Sequence, residues 1–426
     1  MSPWRVVLYL VLGLLLAGAV VGTAHLLADR TQAEADQSSL APFYAPPPSI
    51  PAEPGTVIRT EPLTGANGER ITVPGGRAYR MLYVTALPDG TPTVSGGSYF
   101  VPDAPAAPGG RPIVAWAHGT VGMGDACAPS RSRNPVSQFT TWLPQAMEQG
   151  WAVVATDYAG LGTPGVQLYL VGESEARDVV NSVRAVRTIP GVDAGDRYVV
   201  MGHSQGGHSA LWTGERSLDL APELDLAGVV SIAPAAELRE IVGAQWSTAV
   251  GWAIGPEAAV AWRAIAPALP LEGVLTDAGL RQYERLATEC IELAGLEGMA
   301  RADLGQSFFA VDPDSQPDWS AMIGEQTPRP LPPDIPVLLA QGTADQVVLP
   351  WPNALLQERW CAAGSTISSL WMGNIDHLKA PFVAGPQAVT WIGQRFAGDP
   401  APRTCDVPPP VAPVPSSTPS ASAAGS

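Results

Sequence analysis

Short apolar runs alternate with helix-length segments along most of this chain of 426 residues, and few folds accommodate that pattern. Strands are predicted at 79–86, 98–102, 112–119, 151–158, 197–204, 226–234, 335–342 and 366–372. Helices are predicted at 135–148, 171–188, 205–217, 351–363 and 384–396. The later strands are apolar on both faces, as strands covered by helices on each side must be. The alternation predicts an α/β fold with a mostly parallel central sheet flanked by helices.

One segment interrupts the alternation. Residues 235–330 are helix-patterned, Ala-rich and carry Trp246, Trp252 and Trp262, but contain no convincing strand. Because this segment lies between two predicted strands, we expect an insertion at the strand ends, forming a helical cap or lid over an active site. The alternative is a packing subdomain with no role in substrate entry. The α/β core would then comprise residues 76–234 and 331–406.

The two ends of the chain differ from the core. Arg5 precedes an uncharged run over 6–28, which predicts a signal peptide, with 22–24 as a cleavage site, or an uncleaved signal anchor. Either reading predicts a secreted or extracytoplasmic protein. Residues 29–75 are expected to form an extended N-terminal arm, and the Pro/Ser-rich segment 407–426 a disordered tail.

Composition limits the partners. With 46% apolar and 15% charged residues the chain can bury a large core, and its formal charge of −16 disfavours nucleic acid and anionic lipid surfaces. Neutral substrates are compatible with this charge. We expect a monomer that contacts a membrane only through its N-terminal segment, if that segment stays uncleaved.

The four cysteines are Cys127, Cys290, Cys361 and Cys405. An even number in an exported protein predicts two disulfides, and four cysteines allow three connectivities. Buried free thiols are the alternative. No pair has the spacing of metal ligands, so no metal site is expected.

A serine lies between glycines in Gly202-His203-Ser204-Gln205-Gly206. The strand "RYVVM" precedes it and the helical "GGHSALWTGERS" follows, which is the strand–turn–helix context of a nucleophile elbow. Side chains at 202 and 206 would collide in the strained turn that exposes such a serine. We therefore predict that Ser204 is a nucleophile, against the alternative of a purely structural tight turn.

The order of residues along the chain selects the base. In hydrolases with this elbow the acid and then the histidine follow the serine. Four of the five histidines do not fit this order: His25 lies in the export segment, His118 and His203 precede Ser204, and His208 precedes any late acid. We expect His208 to be a packed or hydrogen-bonded helix residue. His377, after the last predicted strand, remains as the base.

The acid should follow the preceding strand. Asp345 lies three residues beyond Gly342, in the loop after the strand "IPVLLAQG", and is the predicted acid. Asp376 is the competitor, although as the neighbour of His377 it would have to fold back to orient that ring.

Acyl transfer also needs two N–H donors for the oxyanion. One is the N–H of Gln205, and the second is assigned to Thr120 in "AWAHGTVG", with Gly119 as the alternative. His118 is then expected to hydrogen-bond the loop. Asp157 and Tyr158, in "DYAGLG", either line the site or scaffold this loop.

Taken together, these motifs resemble the secretory lipase family, the lipase A type known from fungi with many actinobacterial relatives. The resemblance runs roughly from residue 42 to 406 and includes "FYAPP", "PGTVIR", "AHGTVG", "CAPS", "DYAGLG", "GHSQGGH", "QGTADQVV" and the "DH" at 376–377. It implies an α/β-hydrolase core with a helical cap before the acid, carboxylester hydrolysis and no cofactor. It also implies the triad Ser204, Asp345 and His377, and the disulfides Cys127–Cys290 and Cys361–Cys405.

The expected function is an exported serine esterase or lipase that cleaves neutral acyl esters such as acylglycerols. A serine peptidase or acyltransferase with the same triad is the alternative within enzymes, since the fold alone does not decide between them. A non-catalytic surface protein on a hydrolase scaffold is the alternative outside enzymes.

Overall fold

A computed structural model describes residues 31–414 of the chain. Its strands are β1 (Val57–Pro62), β2 (Thr72–Val73), β3 (Gly76–Ala86), β4 (Pro92–Pro102), β5 (Arg111–Ala117), β6 (Ala152–Thr156), β7 (Ala194–His203), β8 (Asp225–Ile232), β9 (Val337–Gly342) and β10 (Ile367–Met372). They form one sheet in the order β1-β3-β4-β6-β5-β7-β8-β9-β10, with β2 paired to β3. Neighbouring strands are parallel from β6 through β10 and antiparallel elsewhere. All eight predicted strands are present.

Helices account for most of the remaining regular structure. They are α1 (residues 31–44), α2 (Leu143–Glu148), α3 (Gly172–Thr188), α4 (Gln205–Leu220), α5 (Leu238–Gln245), α6 (Ala249–Ile265), α7 (Asp277–Thr288), α8 (Ile291–Asp303), α9 (Pro317–Glu325), α10 (Pro350–Ala362) and α11 (Ala380–Ala397). Within residues 31–414, no helix is both long and apolar enough to cross a bilayer.

Alternate residues of each central strand supply the two halves of the core. Ile113 and Ala115 of β5 belong to the core cluster that includes residues of α3, α4 and α10, whereas Val114 and Trp116 belong to the cluster that includes residues of α2 and α11. A sheet with apolar residues on both faces must be covered on both, because burying apolar area stabilises by roughly 25 cal/mol per Å². The central strands are therefore fixed between two helical layers.

Helices α5 to α9 all fall between β8 and β9 and have an apolar cluster of their own. Its largest buried members include Trp252, Phe308 and Trp319, and it also contacts the loop over 168–171. The disulfide Cys127–Cys290 joins the start of α8 to the loop after β5. The helical insertion therefore meets the core at the loops that follow the parallel strands.

The N-terminal arm differs from its predicted extended conformation. The segment 29–75 was expected to be extended, but residues 31–44 form α1, and β1 and β2 follow. The stretch "TQAEADQ" contains strong helix formers, and the helix ends before the three prolines at 46–48. Phe43 and Tyr44, in its last turn, pack against Leu82 and Val94. Helix propensity and the packing of its last turn therefore stabilise α1, although prolines follow it.

Two further boundaries differ from the predictions. The helix expected over 135–148 is confined to α2, because Pro144 suits only a first helical turn, and a 3-10 turn at Ser137–Phe139 precedes it.

The segment 407–426 was expected to be disordered, but Gln357 Nε2 donates to the Val407 carbonyl oxygen over 3.0 Å, and residues 407–414 have a defined course without helix or strand. Residues 415–426 and the predicted export segment 1–28, with His25, lie outside the described part of the chain.

Candidate active site

Ser204 lies at a sharp turn between β7 and α4. Its backbone has φ +58° and ψ −118°, a conformation that L-residues rarely adopt. A Cβ on Gly202 would lie 2.0 Å from the Gly206 carbonyl oxygen, and a Cβ on Gly206 would lie 1.9 Å from the Ala117 carbonyl oxygen. Both positions therefore require glycine, and the cause is the steric overlap that the sequence predicted.

His377 reaches Ser204 from the loop after β10. Its Nε2 is 2.9 Å from Ser204 Oγ, and its Nδ1 is 2.7 Å from Asp345 Oδ2. A carboxylate only accepts hydrogen bonds, so Nδ1 carries the hydrogen and Nε2 is free to accept from the serine hydroxyl. All three side chains are less than a tenth exposed. The structure thus brings these three predicted residues into one hydrogen-bonded chain.

Asp345 is held on several sides. The N–H groups of Val347 and Val348 donate to its Oδ1 over 2.9 and 3.0 Å, and Gln341 Nε2 donates to Oδ2 over 3.3 Å. Asp376 is directed elsewhere: its carboxylate accepts from Lys379 at the surface, which lowers its pKa. Of the two candidate acids, only Asp345 contacts the ring of His377.

The residues predicted to bind the oxyanion lie beside Ser204. Gln205 begins α4, and the first N–H groups of a helix have no partner within it. In the loop after β5, a Cβ on Gly119 would lie 3.4 Å from Ser204 Cβ. Thr120 follows, with its Oγ1 2.9 Å from the Tyr169 hydroxyl. The predicted loop therefore runs next to the serine, and both Thr120 and Gly119 remain candidates.

His118, Asp157 and Tyr158 form the scaffold beneath this loop. His118 Nδ1 is 2.6 Å from the Gly119 carbonyl oxygen and Nε2 is 3.1 Å from that of Asp157. Burial lowers the pKa of His118, and burial raises the pKa of Asp157 to about 6. The Asp157 carboxylate accepts from Ser130, and the Tyr158 hydroxyl donates to the His118 carbonyl oxygen over 3.2 Å. These contacts match the scaffolding alternative.

His203 contacts the loop of His377, and Glu175 and His208 form a buried pair that contacts Gln205. No role was predicted for His203 or Glu175 from the sequence. His203 Nε2 donates to the backbone carbonyl oxygen of His377 over 3.0 Å. Burial, followed by the proximity of His377, holds the pKa of His203 well below its usual value. His208, expected to be a packed or hydrogen-bonded helix residue, is buried in α4 with its Nδ1 2.7 Å from Glu175 Oε2. Nothing in the spacing of these residues indicates that they meet.

The cysteines and tryptophans singled out in the sequence have defined environments. The structure contains the disulfides Cys127–Cys290 and Cys361–Cys405, the pairing that the resemblance implies. Trp252 and Trp262 are buried inside the helical insertion, whereas Trp246 is half-buried at the end of α5. Trp246 is therefore the least buried of the three tryptophans.

Comparisons with known proteins agree with this architecture. Residues 136–404, more than half of the chain, match the family model for secretory lipases. A protein of Mycobacterium tuberculosis named as a probable inactive lipase is 27% identical over 380 residues, which is 84% of this chain and 82% of that protein. Lipase 5 of Candida albicans is 26% identical over 309 residues, covering 64% of this chain and 62% of its own length.

Solved structures share the fold. Lipase A of Candida antarctica in its closed state superposes with a TM-score of 0.67 at 17% identity, over 87% of this chain and 89% of its own. A rice cell wall degrading esterase from Xanthomonas oryzae gives 0.66 at 20% identity, over 81% and 99%. At these identities the similarity concerns the fold alone. The α/β-hydrolase fold, with a mostly parallel sheet, flanking helices and a helical insertion, is confirmed.

Proposed function

This chain belongs to the secretory lipase family, and we propose that it is a serine carboxylester hydrolase that cleaves neutral acyl esters such as acylglycerols. Its family and its two disulfides make it a secreted or extracytoplasmic protein, since disulfides persist in oxidising compartments. The observation that carries the proposed activity is the hydrogen-bonded chain from Ser204 Oγ through His377 to Asp345 at a glycine-restricted turn.

Each residue has a step in the proposed reaction. His377 Nε2 takes the hydroxyl proton while Ser204 Oγ attacks the ester carbonyl carbon, and Asp345 stabilises the imidazolium that results. The N–H groups of Gln205 and Thr120, with Gly119 as the alternative to Thr120, bind the oxyanion. The tetrahedral intermediate then expels the alcohol, which receives its proton from His377. Water, activated by His377 in turn, hydrolyses the acyl-enzyme and releases the acid.

The helical insertion has a proposed role in selecting the acyl chain. Residues 235–330 would form a cap over the site, because they follow β8, precede the strand that leads to Asp345, and are apolar inside. Gln245 Nε2 donates to the carbonyl oxygens of Gln346 and Val347 over 2.9 Å, which links the end of α5 directly to the acid loop. A cap with an apolar lining would favour neutral acyl chains over charged substrates.

Membership of the family does not by itself guarantee activity, since one relative is named as a probable inactive lipase. A fluorophosphonate probe tests whether Ser204 is activated, because the probe reacts with activated serines independently of substrate preference. We expect labelling of the wild-type protein and none of Ser204→Ala. Ser217→Ala, which removes another buried hydroxyl from α4, is the matched control and should label normally. Absence of wild-type labelling would favour the non-catalytic alternative.

Substrate class needs a second measurement. Initial rates on p-nitrophenyl esters of increasing length, on an emulsified triglyceride and on a peptide panel would separate esterase, lipase and peptidase activities. Adding a competing alcohol acceptor would detect acyl transfer. We expect ester hydrolysis with water as the main acceptor. Labelling of Ser204 accompanied by cleavage of peptides alone would replace the proposal with the peptidase alternative.

A further inference from the structure

A buried carboxylate lies behind the two loops that carry the proposed oxyanion donors. Glu175, in the first turn of α3, is only 2% exposed. Its Oε1 accepts from Gln205 Nε2 over 2.9 Å and from the N–H of Leu170 over 3.1 Å. An ionisable side chain is rarely buried to this degree without a specific arrangement that requires it.

These two bonds lead to both sides of the oxyanion site. Gln205 supplies the first proposed donor through its own N–H group. Leu170 follows Tyr169, whose hydroxyl is 2.9 Å from Thr120 Oγ1, and Thr120 is the second proposed donor. Leu170 also has φ +50°, an uncommon conformation that persists only where neighbouring contacts hold it. Glu175 Oε1 is therefore bonded directly to the side chain of Gln205 and, through Leu170 and its neighbour Tyr169, is linked to Thr120.

The other carboxylate oxygen is bound by a buried histidine. Glu175 Oε2 is 2.7 Å from Nδ1 of His208, and His208 Nε2 is 2.7 Å from the Gln326 carbonyl oxygen beyond the end of α9. A carbonyl oxygen only accepts, so Nε2 carries a hydrogen and a further proton lies between Nδ1 and Oε2. His208 is 0% exposed. The pair thus fixes the Glu175 carboxylate and ties it to the end of the helical insertion.

We propose that Glu175, held by His208, is a positioning residue that places both oxyanion donors, the N–H groups of Gln205 and Thr120. This inference rests on the proposed hydrolase function and deepens it. The donors must meet the oxyanion within a few tenths of an ångström to stabilise it. Thr120 lies in a loop, and Gln205 is only the first residue of α4, so regular secondary structure alone does not fix either donor. In this proposal the buried Glu175 carboxylate holds the segments that carry both donors in place.

Two substitutions at Glu175 separate positioning from simple burial. Glu175→Gln keeps an oxygen for Gln205 and Leu170 and offers an N–H to neutral His208, so we expect kcat close to that of the wild type. Glu175→Leu fills the same space without any acceptor. Complete loss of one oxyanion donor costs on the order of 10²–10³ in kcat, so displacement of both should lower kcat by roughly 10- to 100-fold. KM should change little, because the lost interaction forms only in the transition state.

Milder variants test each branch if Glu175→Leu does not fold. Gln205→Met removes the amide that contacts Glu175 but keeps the length of the side chain. Tyr169→Phe removes the hydroxyl that contacts Thr120. Each should lower kcat severalfold with KM unchanged. Trp212→Phe is the matched control: it removes the indole N–H that donates to the same Gln326 carbonyl over 3.1 Å, without touching Glu175. Its kcat should equal that of the wild type.

A double-mutant cycle gives the deciding result. If Glu175 acts through Gln205, then the double variant Glu175→Leu/Gln205→Met loses no more kcat than Glu175→Leu alone. Affinity for an alkyl boronic acid, which forms a tetrahedral adduct with the serine, should fall in parallel with kcat. Additive losses, or wild-type kcat in both Gln205→Met and Tyr169→Phe, would overturn the inference. A wild-type protein that neither hydrolyses esters nor takes the fluorophosphonate label would instead reject the proposed function itself.

Discussion

His203 Nε2 donates a hydrogen bond to the backbone carbonyl oxygen of His377, and their rings lie 4.6 Å apart. The residue immediately before Ser204 therefore restrains the loop that carries the proposed base. Burial first, and His377 second, depress the pKa of His203, so its ring is neutral and Nε2 keeps the hydrogen.

His203→Phe should lower activity without unfolding the protein. Phenylalanine keeps a ring against His377 but cannot donate to its carbonyl, which leaves the His377 loop less firmly positioned. Loss of one such hydrogen bond is equivalent to about 1 kcal/mol, or about a fivefold fall in kcat/KM. Steady-state kinetics alongside a melting curve measures this. Unchanged kcat/KM would show that the His377 loop is held adequately by other contacts.

Triad variants should behave as one unit. Ser204→Ala and His377→Ala should each lower kcat by several orders of magnitude, and the double variant should be no worse than either, because the residues act in the same step. Asp345→Asn should retain more activity, since the ring keeps part of its support. Asp376→Asn is the control, because Asp376 contacts Lys379 at the surface rather than the ring. Wild-type rates in Asp345→Asn would redirect the assignment to another acid.

The buried carboxyls should make stability fall as pH rises from weakly acidic to weakly alkaline, whereas His118 and His203, whose pKa values are lowered by burial, contribute in the opposite direction. Burial raises the pKa of Asp157 to about 6 and of Asp178 to about 7, and burial holds the pKa of Glu257 well above its usual value. Carboxyls with raised folded-state pKa values bind protons more tightly in the folded state than in the unfolded state. The contribution of these carboxyls to stability is therefore lost progressively from about pH 4 upward to their folded-state pKa values.

Urea denaturation at pH 5 and pH 8 measures this dependence. Glu257→Gln is the sharpest variant, because Glu257 Oε2 is buried without a hydrogen-bond partner and the amide does not ionise. We expect the variant to gain stability relative to the wild type between pH 5 and pH 8, because it lacks the carboxyl whose contribution is lost over this range. An equal difference between the two pH values for both proteins would mean that Glu257 does not contribute to the pH dependence.

Each disulfide should contribute to stability, and no free thiol should be found. Cys361–Cys405 joins residues 44 apart and fastens the C-terminal segment next to β10, where the N–H of Thr404 donates to the Ile367 carbonyl oxygen. On the chain-entropy model a loop of this length stabilises by about 4 kcal/mol. Replacing both cysteines by alanine should lower the free energy of unfolding by an amount of this order. Thiol titration of the denatured, unreduced wild-type protein should find none, and two or more thiols would contradict the pairing.

Sequence reasoning predicted the elements whose evidence is local. Every strand from β3 to β10 contains an apolar stretch that predicted at least part of it, and the order of serine, acid and histidine selects three residues that the structure brings together. Strand β1 was missed because "VIRTEP" carries Arg59 and Glu61 and lies at the sheet edge, paired only with β3. An edge strand with polar residues has no apolar run to reveal it.

The supporting residues could not be predicted for a different reason. Glu175 is 30 residues before Gln205 and 33 residues before His208 in the sequence. It contacts both only because α3 and α4 pack side by side. A charged residue in the first turn of a helix ordinarily indicates a solvated end that complements the helix dipole. Only the packing shows that this one is buried.

The tryptophans of the insertion should separate cap stability from acyl-chain selection. Trp252 is fully buried, its Nε1 donates to the Gln306 carbonyl oxygen over 3.0 Å, and its ring lies 5.4 Å from that of Phe308. Trp252→Ala should lower the free energy of unfolding by about 3–5 kcal/mol. Because its ring lies within the insertion, the preferred ester length should stay the same.

Trp246 should behave in the opposite way. It is half-buried and follows Gln245, which donates to the carbonyls of Gln346 and Val347 directly after Asp345. Among the three tryptophans, Trp246 is the one next in sequence to this contact with the acid loop, and we predict that its ring lines the path of the acyl chain. Trp246→Ala should change stability little and shift the preferred acyl length upward by opening space. One methylene in an apolar pocket contributes about 1–3 kcal/mol, so the change should be graded along the series. Ratios of kcat/KM from acetate to palmitate esters measure it for both variants. Identical length profiles in wild type, Trp246→Ala and Trp252→Ala would make the insertion a structural element without a part in acyl selection.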